Sequence, residues 1–135
     1  MRKVLLALAA AVITLSAGPA AAAFAASSPV LTCNIQPNSN DVFHATSCGT
    51  TKVASSYSVD YYAQGGSGTY TYTWTWPSGY SFAGCTSSSD FCILQGVRAF
   101  EDLSLVATVV IKQGSSSTTQ SVTARLNAVC GNMFC

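Results

Sequence analysis

The chain has 135 residues, 49% of them hydrophobic and only 8% charged, with a formal net charge of +1. Two of its six cations, Arg2 and Lys3, stand ahead of an apolar run, and without that leader four cations face five acids. A near-neutral surface cannot supply the field that phosphate binding needs, which excludes nucleic acid and anionic membranes as partners.

Residues 1–25 read as a secretory signal peptide. Arg2 and Lys3 precede apolar residues from Val4 to Leu15, a Gly18-Pro19 break and small residues that place cleavage after Ala23, Ala25 or Ala26. The apolar run is about 12 residues, against the ~20 that cross a bilayer as a helix. Cys33 follows Val30-Leu31-Thr32, without the small residue that a lipoprotein signal sets before its cysteine, and the chain closes without an apolar or basic tail. The expectation is a secreted protein, extracellular or periplasmic, monomeric and without a membrane anchor. Its residues 26–135 are expected to form a single domain that buries about two-thirds of its unfolded surface.

All six cysteines follow the leader: Cys33, Cys48, Cys85, Cys92, Cys130 and Cys135. An even count in an oxidising compartment reads as a disulfide framework. Zinc is disfavoured, because there is no Cys-x-x-Cys pair and the single histidine, His44, has no ligands near it. The preferred pairing joins neighbours in sequence, Cys33–Cys48, Cys85–Cys92 and Cys130–Cys135. The rival pairing ties Cys33 to Cys130 or Cys135.

Alternation of β-branched and aromatic residues with polar ones marks strands along the rest of the chain. Val30 to Ile35 is the first, stopped by Pro37-Asn38-Ser39-Asn40, and Asp41 to Cys48 a short second. Tyr57 to Gln64 sets Tyr57, Val59, Tyr61 and Ala63 against Ser58, Asp60 and Tyr62. After a turn at Gly65-Gly66-Ser67-Gly68, the strand Thr69 to Trp76 reads TYTYTWTW, four rings on one face and four threonines on the other. Tyr80 to Gln95 holds two short strands around a Cys85–Cys92 loop, and Gly96 to Asp102 is a connection with room for one helical turn. Leu103 to Lys112 carries Leu103, Leu105, Ala107, Val109 and Ile111 on one face. A polar loop from Gly114 to Thr118 leads to a last strand from Val122 to Cys130. Six to eight strands at spacings of roughly ten residues, without helical periodicity, predict an all-β fold, an antiparallel β-sandwich stapled by disulfides.

The segment from Ser58 to Trp74, with its Gly-Gly-Ser-Gly turn followed by Tyr70-Thr-Tyr72-Thr-Trp74, resembles the second and third strands of bacterial immunoglobulin-like and PKD-type modules. Asp102 to Val109 and Val122 to Leu126 are similar to their closing hairpin, so the resemblance spans residues 57–128. It implies a sandwich with an extracellular binding or adhesive role and transfers no catalytic residue. Two features depart from the pattern. Thr75-Trp76-Pro77-Ser78-Gly79 replaces the usual Phe-Gly-Asp-Gly-like turn, and the antibody-type cysteine of the penultimate strand is missing.

Four residues stand out as candidate ligand contacts: Tyr62, Trp76, Tyr80 and Phe91. Rings of the TYTYTWTW stripe are expected in the core, with Trp74 central and Trp76 reaching an end of the sandwich. Tyr62 points outward beside Asp60. A glycan would use Trp76, Tyr80 and Tyr62, since flat rings pair with the apolar faces of sugars. The Cys85–Cys92 loop has the shape of a protease-inhibiting loop with Phe91 as anchor, set against a plain role as an edge-protecting staple. Thr71, Thr73 and Thr75 offer a flat polar face whose simplest reading is a solvated one. Calcium at Asn38, Asn40 and Asp41 is set below a plain turn, so no metal and no cofactor is expected. Catalysis is not expected either, because no serine lies in Gly-x-Ser-x-Gly and only Glu101 and Asp102 pair as acids in sequence. The function expected is a secreted, non-enzymatic binding or adhesion module that recognises an extracellular partner, a protein or a glycan. The alternatives are a carbohydrate-binding module and a protease inhibitor.

Overall fold

The structure is a computed structural model that describes residues 27–135; the signal-peptide reading of residues 1–25 falls outside the described residues. Ten strands and no helix form there: β1 (Val30–Gln36), β2 (Ser47–Gly49), β3 (Tyr57–Gln64), β4 (Thr71–Thr75), β5 (Ser81–Gly84), β6 (Phe91–Val97), β7 (Leu103–Gln113), β8 (Ser116–Leu126), β9 (Val129–Cys130) and β10 (Met133–Phe134). Two four-stranded sheets have the orders β1-β3-β6-β5 and β2-β8-β7-β4, and β9 and β10 make a small hairpin apart from them. With β2 as an addition alongside the last long strand, this is the order of a constant-type immunoglobulin sandwich, first-second-fifth-fourth against third-sixth-seventh. Every pairing is antiparallel except β2 with β8, which is parallel.

Alternation explains where the core sits. Tyr57, Val59, Tyr61 and Ala63 of β3, Leu105, Ala107, Val109 and Ile111 of β7, and Val122, Ala124 and Leu126 of β8 are all buried between the sheets. Tyr72 and Trp74 join them from β4, whereas Tyr70 and Trp76 are only partly buried against the same core. The TYTYTWTW stripe therefore runs from core to rim. Trp74, on the strand equivalent to the third of an immunoglobulin sandwich, donates its indole N–H to the Ser89 carbonyl at 2.9 Å.

The three disulfides join Cys33 to Cys48, Cys85 to Cys92 and Cys130 to Cys135. The first crosses from one sheet to the other at the β1–β2 edge. No cysteine ties the centres of β3 and β7, and a hydrogen bond does so instead: the Tyr61 hydroxyl donates to the Leu105 carbonyl at 3.0 Å. Burial, with Tyr80 nearby, pushes the Tyr61 phenol well above its ordinary value, so it remains a donor. Disulfides of this number fit an oxidising compartment. Among the described residues no helix is long and apolar enough to cross a membrane.

Four boundaries differ from the sequence expectation, each for a local reason. The strand expected over Asp41 to Cys48 shrinks to β2 plus one bridge of His44 to Cys33, because the Asn38 side-chain oxygen accepts the N–H groups of Asn40 and Asp41 and bends the chain there. β4 starts two residues later and ends one earlier than expected; ahead of it the Tyr70 hydroxyl ties down the glycine turn, bonding Ser67 and the Ser27 carbonyl. The loop expected at Gly114 to Thr118 is a two-residue turn: Gly114 takes φ 58, and the β7–β8 ladder continues to the pair Gln113↔Ser116. The last strand stops at Leu126 because the Asn127 N–H turns to the Thr50 hydroxyl and the Ala128 N–H to the Asp102 carboxylate, which starts the β9–β10 hairpin. The connection from Gly96 to Asp102 bends without a helical turn.

Candidate functional site

The side chains of the first sheet that point away from the core come from alternate residues of β1, β3 and β6. Ladder register sets them in rows: Thr32 lies opposite Tyr62, and Tyr62 opposite Phe91, while Asn34 faces Asp60 and Asp60 faces Ile93. Cross-strand neighbours on one face touch. Tyr62 and Phe91 accordingly stack, with centroids 5.7 Å apart and planes at 27°. Phe43, from the β1–β2 connection, adds a third ring edge-on to Tyr62 at 5.2 Å and 81°. The row ends over Gly84, where φ is 75 and a Cβ would collide with the Phe91 ring.

Beside the rings lies a mesh of amides and acids. Asn34 and Gln36 both donate their side-chain N–H to Asp41 Oδ1, and Asn38 donates to Asn34 Oδ1. The β1–β2 connection thus covers part of this face, and Thr32 and Asn34 are buried although they point away from the core. Burial also raises the Asp60 carboxyl above its ordinary value; the Ser58 hydrogen bond opposes that rise and the negative charge of Asp41 adds to it. Of the three residues named above for calcium, Asn38, Asn40 and Asp41, Asn38 and Asp41 use a side-chain oxygen as acceptor within this turn. Among the described residues no cluster of three or more His, Cys, Asp or Glu could hold a metal ion.

Charge divides by sheet. Strands β1, β3, β5 and β6 contain no lysine or arginine and carry Asp60, with Asp41 and Asp90 in the flanking loops. Strands β2, β4, β7 and β8 contain no acid and carry Lys112 and Arg125. A ring row bordered by carboxylates offers stacking and charge together, the combination that receives a guanidinium or ammonium group.

Of the residues singled out in the sequence, Tyr62 and Phe91 come together here and Trp76 and Tyr80 do not. Those two lie at the open side where β4 and β5 are edge strands. Trp76 meets Phe82 with centroids 4.8 Å apart, and Phe82 is 51% exposed. Phe91, expected as the anchor of the Cys85–Cys92 loop, is the first residue of β6, and its ring stacks on Tyr62. The loop itself faces the sandwich: the Ser87 carbonyl accepts the Tyr72 N–H at 3.0 Å, the Ser89 carbonyl accepts the Trp74 indole N–H, and the Asp90 carbonyl accepts the Ala63 N–H at 2.7 Å. It covers the edge of β4. Phe43 and Phe82 were missed. Phe82 alternates correctly in a strand that was itself expected, while Phe43 precedes a turn whose path no periodicity reveals. His44 is exposed, with its backbone paired to Cys33.

Comparison with protein-family models, curated proteins and solved structures returned no match.

Proposed function

We propose that the chain is a secreted, non-enzymatic binding or adhesion module of immunoglobulin-like or PKD-like kind, and that the outer face of its first sheet receives a basic segment of an extracellular protein. The observation that carries this reading is the row of Tyr62 and Phe91 beside Asp60, joined by Phe43 from the β1–β2 connection, on a sheet whose strands hold no cation. Arginine or lysine from a partner would stack on Tyr62 and meet the carboxylates. Rigid rings on a sheet lose little entropy when they bind. Such a surface works in a monomer and requires no cofactor.

The test is fluorescence anisotropy with a labelled arginine-rich peptide, against a scrambled acidic peptide, at low and high salt. Binding that weakens with salt and drops at least about tenfold in Tyr62→Ala and in Asp60→Asn supports the reading. Equal binding by wild type and both variants rejects it.

A glycan reading has its own observation, the Trp76 and Phe82 pair at the open edge with Tyr80 partly buried close by. Quenching or enhancement of tryptophan fluorescence by a soluble polysaccharide, abolished in Trp76→Phe and retained in Tyr62→Ala, would favour it over the basic-peptide reading. Inhibition of a protease finds less support, because the carbonyls of the 85–92 loop are committed to the sandwich.

A further inference from the structure

One end of the sandwich holds a cleft of about 350 Å3, remote in sequence from the ring row. Three connections wall it: Ala54 and Ser55 ahead of β3, Arg98 to Phe100 between β6 and β7, and Val129 with Gly131 of the C-terminal hairpin. Each wall is fixed to the body. The Tyr57 hydroxyl accepts the Ala54 N–H at 3.0 Å and donates to the Lys52 carbonyl at 2.9 Å. The Val129 N–H reaches the Ala99 carbonyl at 2.9 Å, and the neighbouring Ala128 N–H reaches the Asp102 carboxylate at 2.7 Å. The Cys130–Cys135 disulfide then closes the hairpin, whose Cys135 N–H bonds the Ala128 carbonyl at 2.9 Å. The backbone of walls held in this way needs little ordering when a ligand enters, and the volume lies in the range of small-ligand sites.

The lining chemistry narrows the ligand. Arg98 is exposed, and its guanidinium enters none of the hydrogen bonds among the described residues. Phe100 is 80% exposed, more than any other large apolar residue described, although a ring of that size gains free energy from any cover it finds. Ala54, Ala99 and Val129 add an apolar floor. Neither Glu101 nor Asp102, which follow the lining segment, hydrogen-bonds Arg98 among the described residues, and Asp102 accepts the Ala128 N–H. A planar fork of N–H donors next to an unfilled apolar surface matches a carboxylate whose adjacent carbon bears an apolar side chain.

We propose that this cleft binds the α-carboxylate of an apolar residue, supplied either by the C-terminus of a peptide or by a free acylated amino acid. The site is independent of the ring row on the first sheet, so either can fail without the other. The test is a titration of the isotope-labelled, oxidised protein followed by amide chemical shifts. Its probes are N-acetyl-phenylalanine, the corresponding amide, and a hexapeptide ending in phenylalanine with a free or an amidated C-terminus. The expected result is saturable shifts in residues 54–55, 98–100 and 129–131 with the acids, and affinity weaker by about tenfold or more for the amides. Arg98→Gln, an exposed change that leaves the remaining spectrum intact, should bind acid and amide alike, and Tyr62→Ala should bind as wild type. Tighter binding of the free-acid hexapeptide than of the single residue assigns the site to peptide C-termini; equal binding assigns it to the terminal residue alone, and both support the carboxylate site. Equal affinity of wild type for acid and amide, undiminished acid binding in Arg98→Gln, or no saturation at all would overturn the proposal.

Discussion

The two outer faces of the sandwich solve the same problem in opposite ways. The face of the second sheet is bare: on β4 burial alternates strictly, with Thr71, Thr73 and Thr75 exposed between buried Tyr72 and Trp74. Its outward rows are mostly hydroxyls, Thr75 beside Thr108 and Thr108 beside Ser121, the latter pair hydrogen-bonded at 2.7 Å. The face of the first sheet is partly covered: on β1 every residue from Leu31 to Ile35 is buried, whichever way it points. A bare face needs only small polar residues that water can serve. A covered face needs partners for each polar group, and Thr32 finds the Tyr62 carbonyl at 3.1 Å while Asn34 finds Asp41 and Asn38. Rings and acids gather on the covered face, cations on the bare one.

The difference rests first on what holds the cover in place, so the largest effect is expected from the Cys33–Cys48 bridge, which closes a separation of 15 residues containing that cover. Replacing both cysteines with alanine should cost about 3 kcal/mol in urea unfolding. The reciprocal backbone bonds of Cys33 and His44, each 2.9 Å, should also lose hydrogen-exchange protection. A loss below about 1 kcal/mol would mean that Phe43 and the amide mesh hold the connection without the bridge.

A matched pair of single changes then compares the faces directly. Tyr62→Ala removes a half-buried ring that touches two others and should cost about 2 kcal/mol, less than the ~3–5 of a fully buried aromatic. Thr73→Ala on the bare face should stay within about 0.5 kcal/mol. Equal losses would erase the distinction. Tyr61→Phe probes the tie between the sheets rather than either face. It leaves the Leu105 carbonyl without its hydroxyl donor, and the expected loss is about 1–2 kcal/mol, read by the same urea titration.

The same contrast decides what could be read from sequence. On β3 and β7 period 2 marked both the extent and the core residues; on β4 it marked the buried Tyr72 and Trp74 but overran the strand at both ends. β1 was recognised as a strand, but the burial of Thr32 and Asn34 was not legible, because the segment that covers them lies several residues further along and follows an Asx turn instead of a periodic pattern. Tyr62 and Phe91 were each singled out, one as an outward ring and the other as a loop anchor. Their stacking depends on the β3–β6 register, in which Tyr62 lies opposite Phe91 and which alternation within either strand does not reveal. Phe43 joins them only through the tertiary path of its loop. The Arg98 cleft was invisible for the same reason, since its walls are 54–55, 98–100 and 129–131, three loops that meet only in the folded chain.

The smallest effect is a dependence on pH, and it separates the faces by a different physical quantity. The Asp60 carboxyl is raised above its usual 3.8 by burial first, with Asp41 adding to the rise and Ser58 working against it. For a carboxyl raised on folding, the favourable contribution is complete below the unfolded value and is lost as pH climbs through the folded one. At pH 7, above the unfolded value, burial therefore works against the Asp60 side chain, a penalty that an amide in its place does not carry. Asp60→Asn should be more stabilising, or less destabilising, at pH 7 than at pH 3, where both states hold a neutral group and the Ser58 bond remains available to either side chain. Urea midpoints of wild type and variant at the two pH values give the comparison. If the difference between them is the same at both, Asp60 is as well solvated as the threonines of the opposite face, and the cover over the first sheet stops short of β3.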